Sequence, residues 1–277
     1  MTSLDPELVA RAADALRRAR VLIVTAGAGM GVDSGLPDFR GDQGFWKAYP
    51  MYERLGLSFV DAANPEHFER DPAFGWGFYG HRLNLYRATE PHEGFAILRR
   101  WIEALGLDAW VVTSNVDGQF QRAGFPGDRI VEVHGSIHHL QCLTPCSGAI
   151  WENHEEVPVD HETMRARRVP RCERCPGVAR PNILMFGDYG WLPERTHAQR
   201  GRFDAFLEAH EEDPLAVVEL GAGTAIATIR MLTERLGARG EATVVRINPR
   251  EAAIRAPHLS LAAGALEGLR AIDELLG

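Results

Sequence analysis

The chain is 277 residues long, 45% hydrophobic and 25% charged, a balance of folded domains that argues against intrinsic disorder. Its 30 basic and 38 acidic residues leave a formal charge of −8, which argues against nucleic acid as the main partner, because phosphate binding runs on Lys and Arg. Four cysteines are too few for a disulfide scaffold, and no apolar run reaches the roughly 18 residues of a membrane span.

Residues 1–19 carry Asp5, Glu7 and Asp14 and lack the apolar centre of a signal peptide. A cytoplasmic protein with no membrane partner is the expectation. Asp5-Pro6 opens a helix, since Asp suits the N-cap and Pro the first helical position, and Leu8, Ala12, Leu16 and Ala19 follow at helical spacing. Val21–Thr25 is a short, continuous apolar run of the kind buried on both faces of a parallel sheet. Similar runs recur at Ala109–Thr113, Ile130–Val133, Ala216–Leu220 and Thr243–Ile247, with helical stretches such as His92–Leu105 and Ile226–Leu236 between them. An amphipathic stretch with Leu266, Leu269 and Ile272 closes the chain. The alternation predicts an α/β fold with a doubly wound, Rossmann-like parallel sheet. Gly41–Thr89, rich in aromatics, and Cys142–Arg180, which holds all four cysteines, break the alternation. They are read as two insertions that together build a smaller zinc-ribbon and helical domain. The boundaries expected are 1–41, 90–140 and 181–277 for the large domain, and 42–89 with 141–180 for the small one.

The first strand runs into Gly27-Ala28-Gly29-Met30-Gly31. Such glycines either make a tight turn or let backbone N–H groups approach a phosphate. Val32 stands where the dinucleotide G-x-G-x-x-G needs its third glycine, which argues against a dehydrogenase. Asp38-Phe39-Arg40 follows, and an aromatic plus a guanidinium beside a glycine loop suits a ring and phosphates. Cys142-x3-Cys146 and Cys172-x2-Cys175, with 25 residues between the pairs, fit a structural four-thiolate zinc site. His138 and His139 are expected on the surface of that zinc region. Tyr79 and Arg82, three residues apart, would meet on one helix face.

With the glycine loop and Asp38-Phe39-Arg40, the chain resembles the sirtuin family of NAD-dependent protein deacylases. Four further blocks carry the resemblance in family order. They are Thr113-Ser114-Asn115-Val116-Asp117-Gly118, Glu132-Val133-His134-Gly135-Ser136, Pro181 to Asp188 ending in Met185-Phe186-Gly187-Asp188, and Gly221-Ala222-Gly223 with Ile247-Asn248. The resemblance implies NAD as co-substrate, one structural zinc, and acyl-lysine proteins or peptides as partners. It implies that Ser114, Asn115 and Asp117 hold the nicotinamide end. His134 would be the general base that deprotonates a ribose hydroxyl, a role suited to an imidazole near neutral pH. Gly27, Ala28, Gly29, Asp38, Phe39, Arg40 and Trp46 would line the cofactor, with Gly221, Ala222, Gly223, Asn248 and Ala265 at its adenosine half. Phe186 and Gly187 would take the substrate peptide as an added strand. In part of the family a Tyr-x-x-Arg, here Tyr79 and Arg82, binds acidic acyl groups such as succinyl. The pattern departs at Gly31, Ser114 and Ala222-Gly223, where the family usually carries Ser, Gln and Thr-Ser. The same fold leaves room for mono-ADP-ribosyl transfer, NAD hydrolysis or a non-catalytic NAD or ADP-ribose sensor.

Overall fold

The protein was analysed as a computed structural model, which describes residues 4–38 and 41–277. Asp5 accepts a hydrogen bond from the Glu7 N–H and starts α1 (Pro6–Arg18), which leads into β1 (Val21–Ala26) and a 3₁₀ segment (Ala28–Ser34). Five helices follow: α2 (Gly41–Ala48), α3 (Pro50–Arg54), α4 (Phe59–Ala62), α5 (Glu66–Arg70) and α6 (Pro72–Ala88). Then come α7 (Glu93–Ala104), β2 (Asp108–Thr113), α8 (Gln119–Arg122) and β3 (Ile130–Glu132). Strands β4 (Gly135–Cys142), β5 (Ile150–Glu152), β6 (Val159–Asp160), β7 (Arg165–Ala166) and β8 (Ala179–Ile183) precede α9 (Glu194–Ala209). The chain closes with β9 (Leu215–Leu220), α10 (Thr228–Gly237), β10 (Ala242–Ile247), β11 (Leu259–Leu261) and α11 (Ala265–Leu276).

The large sheet has six parallel strands in the order β11-β10-β9-β1-β2-β3. From β1 the chain moves outward through β2 to β3, then returns beside β1 and moves outward the other way from β9. The winding therefore reverses between β1 and β9, and the crevice at the carboxyl ends of those strands is where such sheets bind ligands. Period-two alternation divides each central strand between two cores. Leu22, Val24, Ala216, Val218, Val245 and Ile247 pack with the apolar faces of α1, α7 and α11. Val21, Ile23, Leu215, Val217 and Val244 pack with Phe203, Ile229 and Leu232 of α9 and α10. Burial on both faces is why these strands read as unbroken apolar runs.

The two insertions share a third core, in which Phe45, Tyr52, Phe68, Trp76 and Phe78 pack with Ile137, Val157, Met164 and Ala166. The joint is close. A Cβ on Gly77 of α6 would lie 1.7 Å from the Met164 carbonyl oxygen, and the Trp76 indole N–H donates to the Ala179 carbonyl at 2.7 Å. The small region also holds an antiparallel sheet, β5-β4-β8, and the β6-β7 ribbon. The small sheet reaches back to Gly135 and on to Ile183, so it flanks the cysteine segment on both sides. Among the described residues no helix is long and apolar enough to cross a membrane.

Candidate active site

A cleft of about 900 Å³ lies over the switch point, between the carboxyl ends of the large sheet and the small region. That volume lies in the usual range for small-molecule sites. Gly27, Ala28 and Gly31 after β1 form one wall, with Gly221, Ala222 and Gly223 after β9 beside them. A Cβ on Gly27 would lie 2.8 Å from the Ala222 Cα, and one on Gly29 would lie 2.6 Å from the Gly221 Cα. The Gly27 N–H donates to the Leu220 carbonyl and the Gly29 N–H to the Gly221 carbonyl. These glycines thus let two switch-point loops cross at backbone contact, and their own N–H groups are spent inside the protein. Gly31 faces the cleft with Leu36 packed where a side chain would go, 3.2 Å from a Cβ built there.

The carboxyl ends of β2 and β3 bring Ser114, Asn115, Asp117 and His134 to one end of the cleft. Asn115 donates its side-chain amide to the Gly27 carbonyl at 3.0 Å, tying this end to the glycine loop. Asp117 accepts the Gln119 N–H at 2.9 Å in a turn just ahead of α8, whose N-cap is Gly118, and the same residue lines the cleft. Burial pushes the Asp117 carboxyl up to about 6. Burial also lowers the His134 pKa, partly offset by a hydrogen bond to the Ser114 backbone. A neutral imidazole beside a cleft can accept a proton at neutral pH.

Close to this end, α6 supplies Tyr79, Arg82 and Tyr86, all buried and all lining the cleft, and the Arg82 charge partly offsets the rise of the Asp117 pKa. The two predicted residues do meet on one face, with the guanidinium carbon 5.6 Å from the Tyr79 ring centre. Arg82 also stands 5.2 Å from the Phe78 ring, 5.4 Å from Tyr86 and 5.9 Å from Phe59. Its Nε and Nη2 donate to the Tyr86 hydroxyl at 2.9 and 2.7 Å. Tyr86, one turn further along the helix, had no motif to announce it.

Asp38 and Phe186 line the cleft; Phe39 and Arg40 lie outside the described residues. Gly29, Trp46, Gly187, Asn248 and Ala265 do not line it. The Trp46 indole N–H donates to the Leu57 carbonyl at 2.7 Å, and the ring packs on the small region's core. Asn248 is wholly buried; its amide donates to the Ala222 carbonyl and its oxygen accepts the Arg250 and Glu251 N–H groups. It shapes two cleft loops from behind. Ala265 is buried at the start of α11, and Gly187 takes φ +67 in a turn. Arg250 and Glu251, absent from the expected set, line the cleft, and Arg250 pairs with Asp38 at 3.0 Å. Along 184–186 the N–H groups are engaged: Leu184 donates to the His134 carbonyl, Met185 to the Asp188 carboxylate and Phe186 to the Ala63 carbonyl. Exposed Val60, Leu184 and Ile226 give this rim an apolar surface.

His138 and His139 are not zinc-region surface. His138 is half-buried behind Asp117, and burial with the nearby Arg195 lowers the His139 pKa to about 4. Both line a second, smaller cavity together with Asp117 and Arg195, where the pairing of β4 with β8 shifts register between Ser136 and Leu140.

The four cysteine sulfurs lie within 4.8 Å of one another, with Cys142–Cys175 and Cys146–Cys172 at 3.7 Å. A tetrahedron with Zn–S bonds of about 2.3 Å has sulfurs roughly 3.8 Å apart, so the cluster has the dimensions of a four-thiolate zinc site. Burial opposes ionisation of Cys172, but the N–H groups of Arg174 and Cys175 bring its thiol down to about 7. The Arg174 N–H reaches the Cys172 sulfur and the Gly177 N–H the Cys175 sulfur, both at 3.4 Å, as thiolate ligands require.

The Sir2 family model matches residues 27–205. The NAD-dependent protein deacylase 2 of Pyrobaculum aerophilum is 35% identical over 243 residues, covering 87% of this chain and 85% of the relative. The NAD-dependent protein deacylase of Thermococcus kodakarensis is also 35% identical, over 181 residues that make up 65% of each chain. A solved structure of a Sir2 enzyme superposes with a TM-score of 0.70 at 26% identity, covering 98% of both chains.

Proposed function

The chain belongs to the Sir2 family, and from that premise we propose how its residues carry out NAD-dependent removal of acyl groups from protein lysines. The observation that carries the reading is the convergence of His134, Asn115 and Asp117 with the two glycine loops and the Arg82 pocket in one cleft. NAD is the co-substrate, and it fits a cleft of this volume at the switch point, with its adenosine half toward Gly221–Gly223 and its nicotinamide toward Ser114 and Asp117. The acyl carbonyl oxygen bonds to the ribose C1′ as the nicotinamide–ribose bond breaks and nicotinamide leaves; the ribose hydroxyl that His134 deprotonates then adds to the acyl carbon, and water completes release of the free lysine amine and O-acyl-ADP-ribose. Asp117, ionised above about 6, accepts the carboxamide N–H, and Asn115 keeps that end of the cleft docked on the glycine loop. His134, kept neutral by burial, takes the proton of a ribose hydroxyl. The four cysteines hold one structural zinc; its closed ligand set leaves no position for substrate.

The protein substrate enters along 184–188, where an incoming strand replaces the Phe186–Ala63 hydrogen bond and lies against Val60, Leu184 and Ile226. Its acyl-lysine reaches inward to Tyr79 and Arg82, and a buried guanidinium beside a tyrosine favours an acidic acyl group over acetyl. The test is nicotinamide release from NAD with and without acyl peptide. Release that requires the peptide supports the reading; NAD bound but never consumed would make the protein a sensor.

A further inference from the structure

The turn that carries Asp117 is held from behind by a residue no motif assigns. Ser114, Asn115 and Asp117 belong to a short loop, and their usefulness depends on where that loop stops. On the cleft side it is anchored by the Ser114 N–H on the Ala26 carbonyl and by the Asn115 amide on the Gly27 carbonyl. On the far side lies the second cavity, of about 400 Å³, lined by Tyr86, Arg87, Arg122, Ser136, His138 and Arg195 among others. Asp117 and Gly118 form part of its wall. Two contacts from β4 bridge the gap. The Ile137 N–H donates to the Val116 carbonyl at 3.0 Å, and the His138 Nε2–H donates to the Asp117 carbonyl at 2.8 Å.

The second contact is built around a glycine. Gly118 has φ +72, and a Cβ there would lie 2.6 Å from His138 Cδ2 and 2.8 Å from Nε2. The imidazole thus occupies the space of the missing side chain. Its own position is fixed in turn, because the His138 backbone N–H donates to the Ser136 hydroxyl and its carbonyl accepts the Asn153 N–H at 2.8 Å. A carbonyl only accepts, so Nε2 must carry the proton of the ring.

We propose that His138 is a positioning residue for the nicotinamide end of the cleft, setting the direction of the Asp117 carboxylate through the Asp117 carbonyl and Gly118. The inference rests on the nicotinamide-pocket reading of Asp117. A glutamine places its amide N–H near the position of Nε2, whereas phenylalanine keeps the ring and loses the donor. His138→Phe should raise the KM for NAD and weaken nicotinamide inhibition together, by roughly threefold to tenfold for one lost hydrogen bond. The turnover number at saturating NAD should change less than twofold, and His138→Gln should stay within about twofold of the parent on every constant. Binding of ADP-ribose, which lacks nicotinamide, should be the same in all three proteins. Unchanged KM and inhibition in folded His138→Phe would overturn the proposal. So would equal losses in both variants together with weakened ADP-ribose binding or a lowered Tm, which would make His138 a packing residue. Failure of nicotinamide to inhibit a parent protein that still binds ADP-ribose would instead remove the nicotinamide-pocket reading beneath it.

Discussion

Replacing Arg82 with methionine isolates the charge that selects the acyl group. Methionine is unbranched and fills irregular space, so Arg82→Met keeps much of the packing against Phe78 and Tyr86 while removing every donor. Arg82 is only 7% exposed, so a carboxylate that meets its guanidinium has also left water. A charge-assisted hydrogen bond in such a place is worth about 1.5–3 kcal/mol, or roughly 10- to 150-fold in kcat/KM. The assay is steady-state kinetics on two peptides of one sequence, carrying succinyl-lysine or acetyl-lysine. The parent should prefer succinyl. Arg82→Met should lose about 10- to 150-fold on succinyl and change little on acetyl, so that the order reverses, because a buried carboxylate without its partner is costly. Tyr86→Phe, which frees the guanidinium from its hydroxyl anchor, should give a smaller loss in the same direction. Equal rates on both peptides, unchanged in Arg82→Met, would refute the acyl-pocket argument and reduce the pair to structure.

His134→Ala should lower acyl-peptide turnover by about two orders of magnitude or more while NAD still binds. Nicotinamide exchange should survive it, since bond cleavage precedes the proton transfer; full turnover in the variant would remove His134 from the mechanism. Because burial lowers the His134 pKa, the neutral base persists to lower pH, and the acid limb of kcat/KM should fall below the usual imidazole value of about 6.5. A limb above pH 7 would contradict that. Inhibition by nicotinamide should weaken as pH falls through about 6, where Asp117 takes up a proton and ceases to be only an acceptor. Elemental analysis should find one zinc per chain, and Cys172→Ser should lose both metal and much of the folded population. Metal-free parent protein of full stability would refute the zinc site.

The parallel sheet was legible because its central strands are buried on both faces, and the helices between them because their caps are local. Asp5 and His92 each accept a backbone N–H in the first turn of the helix they open. The cysteine cluster was legible from spacing alone. What sequence could not show is which side of a strand a residue faces across a fold-back. His138 sits four residues from Cys142 on the same strand, yet it serves the Asp117 turn. The glycine loop was visible, but its cause was not. Gly29 is needed because Gly221, nearly two hundred positions later, lies against its Cα. Arg246 reads as a break in an apolar run, and its buried pairing with Glu219 exists only because β9 and β10 lie in register. Asn248 was found by resemblance, but its amide faces the protein, where it ties the loop after β10 to Ala222.

The central claim concerns where the ADP-ribose goes. Mass spectrometry of the products formed from NAD and an acyl-lysine peptide tests it directly. Nicotinamide, free-lysine peptide and O-acyl-ADP-ribose should form in equal amounts, and none of them when the peptide is left out. Free ADP-ribose made without peptide, or protein that gains the mass of ADP-ribose while the acyl peptide stays intact, would contradict it.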